Sequence, residues 1–295
     1  MVQALDQLET PALLLDKDIL ERNCSRMSQR MQQAGIALRP HLKTAKAREV
    51  ARLATHGHSG AITVSTLAEA RFFLEGGFTD ILYAVGMVPS KAKAAAELQR
   101  AGAKLTLILD DPRTAQELGK ATEEPETRFP ILIEIDSGGG RAGVAAGSQQ
   151  LLDIASAIHA QSTLELAGVM THAGHSYHCR GPAEIAEVAE AERCALVQAA
   201  DRLRQAGYPC PIVSAGSTPT AVHAVSFEGL TEMRPGVYVF NDLDQMGIGS
   251  CTPDDLALSV LATVIGHNRR SERILIDAGA LALSKDVSAH EFFEH

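Results

Sequence analysis

Short apolar runs alternate along this chain with stretches whose apolar residues recur at helical spacing. Period-two or continuous apolar segments predict inner strands at Leu38–Pro40, Ala61–Val64, Asp80–Ala84, Lys104–Leu109, Pro130–Ile135, Leu166–Met170, Pro211–Ser214 and Glu232–Arg234. Between them, helical spacing predicts Lys46–Thr55, Leu67–Glu75, Ser90–Ala101, Pro112–Thr122, Ser148–Ala160, Pro182–Ala206 and Pro219–Val225. Start signals such as Ser65-Thr66 ahead of Glu69, and Pro112 and Pro182 early in a helix, support these assignments. Gly35, Gly76-Gly77, Gly102 and Gly207 mark helix ends. Eight strands with intervening helices is the count for a (β/α)8 barrel, with a doubly wound open sheet as the alternative. Pro11–Leu15 is a further strand, and it precedes a helix at Asp18–Ala34. After Arg234 the pattern turns to strands without helices, at Gly236–Asn241, Leu256–Asn268 and Arg273–Asp277. The expected organisation is a barrel over residues 16–236. Residues 1–15 with 237–295 would form a small, incomplete β domain built from both chain ends.

Composition narrows the function classes. With 295 residues and 45% hydrophobic content, the chain can bury a large core, and 21% interspersed charge gives no sign of disorder. A net charge of −9 argues against a nucleic-acid surface, which needs a basic face. No apolar run is long enough to span a bilayer, and the start lacks the basic and apolar regions of a signal peptide. The five cysteines are scattered, odd in number and free of any C-x-x-C pair, so reduced thiols in a cytosolic protein are expected.

Polar residues gather just past the strands. His41 and Lys43 follow the first, Asp136-Ser137-Gly138-Gly139-Gly140-Arg141 the fifth, and Thr171-His172-Ala173-Gly174-His175-Ser176-Tyr177 the sixth. Gly216-Ser217-Thr218 follows the seventh and Pro235-Gly236-Val237-Tyr238 the eighth; the strand starts carry little comparable chemistry. That asymmetry is expected of a barrel enzyme, whose catalytic face is the carboxyl end of its strands. A lysine held there among apolar walls can lose its proton and attack a carbonyl. Each feature also has a plain reading. Lys43 and Lys46 could be surface charges, Arg141 a loop ion pair, His172 a hydrogen-bonded core histidine, and Gly216-Ser217-Thr218 a capped helix start. The cluster His172, His175, His178, Cys179 matches no closed structural zinc spacing.

Taken in order, these segments resemble the fold-type III pyridoxal phosphate enzymes, and among them the group of D-threonine aldolase, D-serine dehydratase and D-threo-3-hydroxyaspartate dehydratase. The resemblance runs from Thr10-Pro11-Ala12 to Ser284-Lys285-Asp286. It is carried by Arg39-Pro40-His41-Leu42-Lys43-Thr44, Thr63-Val64-Ser65-Thr66, Asp136-Ser137-Gly138 with Arg141 and Gly143, the Thr171–Tyr177 segment, Ser214–Thr220 and Glu232–Tyr238. It implies that Lys43 forms an aldimine with pyridoxal 5′-phosphate and is the base at Cα. It also places Arg141 near the cofactor's phenolic oxygen and His172 against its ring. Tyr177 would reach the pyridine edge or the substrate, while Gly216, Ser217 and Thr218 hold the phosphate with Tyr238 nearby.

Family members carry a histidine with a nearby cysteine or aspartate that bind a divalent metal, zinc or manganese, beyond the segment matched here. The expectation is therefore that this chain stops short of that pair. The resemblance implies a lyase acting on a small β-hydroxy D-amino acid, by dehydration or by aldol cleavage, and a homodimer. An amino-acid racemase is the second enzyme reading, and a catalytically impaired pyridoxal phosphate carrier the reading from another class.

Overall fold

The computed structural model describes residues 4–122, 127–280 and 282–284. The chain begins with β1 (Ala12–Leu15) and α1 (Lys17–Ala34), followed by β2 (Ala37–Leu38), α2 (Arg48–Ala54), β3 (Ile62–Val64), α3 (Leu67–Glu75) and β4 (Asp80–Gly86). It continues with α4 (Ala92–Arg100), β5 (Lys104–Leu109), α5 (Pro112–Ala121), β6 (Phe129–Glu134), α6 (Gln149–His159) and β7 (Leu164–Met170). Then come α7 (Pro182–Gln205), β8 (Ile212–Ala215), α8 (Thr218–His223), β9 (Glu232–Met233), α9 (Leu243–Gly247), β10 (Leu258–Leu261), β11 (Val264–Asn268) and β12 (Arg273–Ile276).

Strands β2 to β9 form one parallel eight-stranded sheet in the order β2-β9-β8-β7-β6-β5-β4-β3. Its two free edges meet at a single parallel bridge between His41 and Thr63, with Leu42 N–H donating to Thr63 O and Thr63 N–H to Pro40 O, both at 2.9 Å. That bridge closes the sheet into a barrel and disposes of the doubly wound alternative. Apolar side chains from these strands and the surrounding helices form a large core, and Leu82, Ile108, Leu132, Ala167 and Met170 of the strands form a separate cluster. Caps explain why the helices start where they do. Asp16, Thr66 and Asp111 accept from the backbone N–H groups of Ile19, Glu69 and Thr114, each satisfying a donor the helix itself cannot.

Inside the barrel a polar network replaces part of the apolar filling. Arg39 pairs with Glu232 at 2.9 Å and with Asp80 at 2.6 Å. Ser214 donates to Glu232 at 2.6 Å and accepts from Arg234, which also donates to Thr171 O. Buried charges are tolerated when paired and hydrogen-bonded in this way.

Three expectations need correction. The helix expected from Lys46 starts only at Arg48, because Lys46 adopts a left-handed backbone (φ 47°) that a helix cannot continue through. Gly236–Asn241 is not a strand and the stretch after Arg234 is not free of helix: Val237–Val239 forms a 3-10 turn, Asn241 is left-handed at φ 51°, and Asp242 caps the short helix α9. Leu256–Asn268 is not one strand but two. β10 pairs antiparallel with β1, while β11 turns away to pair with β12. β1, from the early part of the chain, thus pairs with β10 from its later part. The Lys285-Asp286 end of the resemblance lies outside the described residues.

Candidate active site

The carboxyl ends of the barrel strands surround a cavity of about 150 Å3. Lys43 and His41 enter it after β2, Ser65 after β3, Glu134 and Arg141 from the end of β6 and the loop beyond, His172 after β7, and Gly216 and Arg234 after β8 and β9. Strand ends are separated in sequence but adjacent in a closed barrel, which is why residues so far apart share one space.

Lys43 sits in the turn after β2, and burial together with the Arg141 charge lowers its pKa, against a smaller opposing effect of Glu69. A larger share of the amine is therefore neutral and nucleophilic than on an open surface. Its neighbour His41 is pushed down to about 2, first by burial and then by Lys43, Arg234 and His172. His41 Nδ1 accepts from the Lys43 backbone N–H at 3.4 Å, and its Nε2 lies 3.4 Å from Ser65 Oγ. His41 thus braces the turn that presents the lysine.

His172 Nδ1 lies 3.0 Å from Gly216 O. A carbonyl only accepts, so Nδ1 carries the proton and Nε2 is left with a free lone pair. Burial lowers the His172 pKa to about 4, with the Gly216 bond opposing and Arg234 and Lys43 assisting, so the ring is neutral near pH 7. The glycine-rich loop carrying Arg141 is shaped by Asp136, whose Oδ1 accepts from Gly138 N at 2.9 Å and Gly140 N at 3.1 Å. Arg141 makes no ion pair among the described residues. Burial and Asp110 raise the Glu134 pKa, so the cavity holds three cationic side chains against one carboxyl that resists ionising. Its field suits an anionic ligand.

Other expected residues take different positions. Gly216 lines the cavity, but the hydroxyls of Ser217 and Thr218 are already engaged. Ser217 Oγ caps α8 through Thr220 and meets Ser176 Oγ at 2.9 Å, while Thr218 Oγ1 accepts from the backbone of Gly236 and Tyr238. Tyr177 packs beside His172 with ring centres 6.4 Å apart. Burial pushes its hydroxyl up to about 12, against hydrogen bonds to Thr218. Tyr238 reaches the site through its backbone alone; its buried ring turns away, and the hydroxyl approaches Ala54 O at 3.5 Å. Lys46 is exposed and pairs with Glu69 at 3.4 Å, outside the cavity. Of the histidine–cysteine cluster, His172 faces the cavity whereas His178 is exposed and Cys179 buried elsewhere. Among the described residues no group of three His, Cys, Asp or Glu side chains is placed to hold a metal.

Four polar cavity residues had no role assigned from sequence: His41, Ser65, Glu134 and Arg234. His41, Ser65 and Arg234 lie inside motifs already singled out and Glu134 at the end of an expected strand, so position at or past a strand end was the available signal. A fifth residue, Glu192, gave no such signal. It lies on α7 outside the barrel, yet it is fully buried and its carboxylate reaches the site's backbone.

Comparison with known proteins agrees with this geometry. Residues 15–244 match the family described as alanine racemase, N-terminal domain, and residues 257–294 match a putative serine dehydratase domain. The chain is 47% identical to D-threo-3-hydroxyaspartate dehydratase of Delftia sp. (strain HT23), over 97% of this chain and 75% of that one. The solved structure of the Delftia enzyme superposes with a TM-score of 0.93 at 47% identity, covering 97% of this chain and 75% of that chain. D-serine dehydratase of Dictyostelium discoideum is 32% identical over 96% of this chain and 75% of that one. No helix among the described residues is long and apolar enough to cross a membrane. With the closed parallel barrel and a lysine-bearing cavity at its carboxyl end, these matches show that the chain belongs to the alanine racemase N-terminal-domain family.

Proposed function

We propose that this protein is a pyridoxal-phosphate-dependent lyase acting on β-hydroxy D-amino acids, with Lys43 as cofactor anchor and proton-transfer base. One observation carries the reading: an amine of lowered pKa stands at the carboxyl end of the first barrel strand, inside a cavity whose other charges are mostly cationic. Those residues fit the cofactor. The Lys43 amine is suited to an aldehyde, Arg141 to a phenolate oxygen and the flat, neutral His172 to a ring face, while the net positive field suits a phosphate. Gly216, Ser217 and Thr218 would lie beside that phosphate at the start of α8, where the Ser217 and Thr218 hydroxyls and the Gly216 and Ser217 N–H groups already bond within the protein. Bound pyridoxal phosphate supplies an electron sink for negative charge developing at the substrate's Cα.

The chain's own groups do the rest. Lys43, once its amine is free and neutral, takes a proton from Cα. His41 keeps the lysine's turn in place, and His172 adds no charge that would compete for the anionic ligand. Within the class, dehydration is favoured over carbon–carbon cleavage by the 47% identity to a dehydratase. A homodimer and the division at residues 16–236 belong to the same proposal.

Borohydride treatment of the protein loaded with pyridoxal phosphate, followed by peptide mapping, is expected to mark Lys43 and to mark nothing in Lys43→Ala. Assays with D-3-hydroxyaspartate and D-serine are expected to release oxaloacetate or pyruvate. A stable adduct at Lys46, or glycine and an aldehyde as the sole products, would overturn the anchor or the reaction respectively.

A further inference from the structure

A closed ring of hydrogen bonds joins helix α7 to the two loops that frame the cavity. Glu192 Oε1 accepts from Ala173 N at 3.0 Å and from Gly216 N at 3.1 Å. Ala173 is the residue after His172, and Gly216 is the residue whose carbonyl receives His172 Nδ1 at 3.0 Å. The ring therefore runs from the carboxylate to Ala173, through His172 to Gly216 O, and from Gly216 N back to the same oxygen. Glu192 comes from the middle of α7 and is 1% exposed. A carboxylate with no water to solvate it is costly unless its hydrogen bonds are made, so its presence in the helix–barrel layer calls for a reason. Arg234, whose guanidinium donates to Thr171 O, supplies nearby positive charge.

We infer that Glu192 is a positioning residue for the active site: it holds the His172 and Gly216 loops at a fixed spacing, and so keeps His172 with Nδ1 protonated and Nε2 bare toward the cavity. It touches neither cofactor nor substrate. Without it, two backbone N–H groups lose their acceptor, the loops separate, and the imidazole is no longer bound to one tautomer. The inference relies on the proposed function for its kinetic consequence alone, because the tautomer belongs to the protein itself.

The test uses 15N-resolved NMR of histidine side chains in the cofactor-free protein, with His172 assigned through His172→Gln. The native chain is expected to show His172 as the Nδ1–H tautomer, with its pKa near 4. Glu192→Ala is expected to give a mixture of tautomers, because the bond that fixes Nδ1–H on Gly216 O is released. Glu192→Gln keeps a carbonyl oxygen able to accept both N–H groups and is expected to restore the native pattern. In the loaded enzyme, kcat/KM should fall by about tenfold to a hundredfold in Glu192→Ala, while borohydride still marks Lys43. An unchanged tautomer in Glu192→Ala would overturn the inference and leave the Lys43 assignment standing. Should the alanine variant not fold, Glu192→Asp, which withdraws the carboxylate by one methylene, is expected to show the same mixing. A native tautomer there overturns the inference equally.

Discussion

Arg39 Nε donates to Glu232 Oε2 at 2.9 Å across the seam where the first and last barrel strands pair. Both side chains are buried, whereas the second partner, Asp80, is 41% exposed and its contribution is screened by water. The Glu232 pair therefore dominates. Removing one member of a buried pair leaves the other uncompensated, so Arg39→Ala is expected to cost about 3–5 kcal/mol in urea unfolding. Replacing both, as Arg39→Met with Glu232→Leu, is expected to recover most of that loss. A double variant no more stable than the single one would show that the pair does more than satisfy its own charges.

Two histidines make stability depend on pH. His41 and His172 have folded pKa values of about 2 and about 4, both below the ordinary 6.5. The unfolded chain therefore takes up protons that the folded chain refuses. Stability is full above about pH 6.5 and falls as pH drops, with both histidines contributing down to about pH 4 and His41 alone below that, toward about 2. Each histidine contributes a slope of up to about 1.4 kcal/mol per pH unit within its window. Urea midpoints between pH 7.5 and 5 should show this decline, and His172→Gln should flatten part of it.

Backbone approach is closest at Gly168, in β7 beside β8. A Cβ there would lie 1.9 Å from Ile212 O, and the residue adopts φ 150°. Neither the strand nor its neighbour can withdraw without breaking the ladder, so Gly168→Ala is expected to destabilise by more than about 4 kcal/mol. Thermal unfolding, or recovery of folded protein, measures it.

Lys46 lies three residues from Lys43 but outside the cavity, paired with an otherwise occupied Glu69. Exposed pairs contribute little, so Lys46→Ala is expected to change stability by less than about 1 kcal/mol and to leave the borohydride adduct on Lys43. Loss of the adduct in Lys46→Ala would transfer the anchor role.

Much of this was legible because it depends on local order along the chain. Alternating strand and helix patterns carry the barrel count, and position past a strand end is enough to single out Lys43, Arg141 and His172, since those positions converge in any closed barrel. What escaped was side-chain direction and long-range pairing. Tyr238 and Tyr177 look like site residues in the linear order, yet the ring of Tyr238 turns toward Ala54 and that of Tyr177 toward Thr218. Lys46 reads as the start of a helix, but the closing bridge at His41 and Thr63 takes up the turn ahead of it, and Lys46 is left-handed.

The eight-fold alternation and the set of chemical groups delivered to the barrel mouth follow from hydrophobic periodicity and strand-end position, which are properties of neighbouring residues. Which of those groups act together depends on packing between distant segments. Glu192 stands among ordinary helix residues in Val188-Ala189-Glu190-Ala191-Glu192-Arg193, and nothing local distinguishes it from Glu190. Its burial and its grip on Ala173 and Gly216 exist because α7 packs over the ends of β7 and β8, strands paired in the sheet but far apart along the chain.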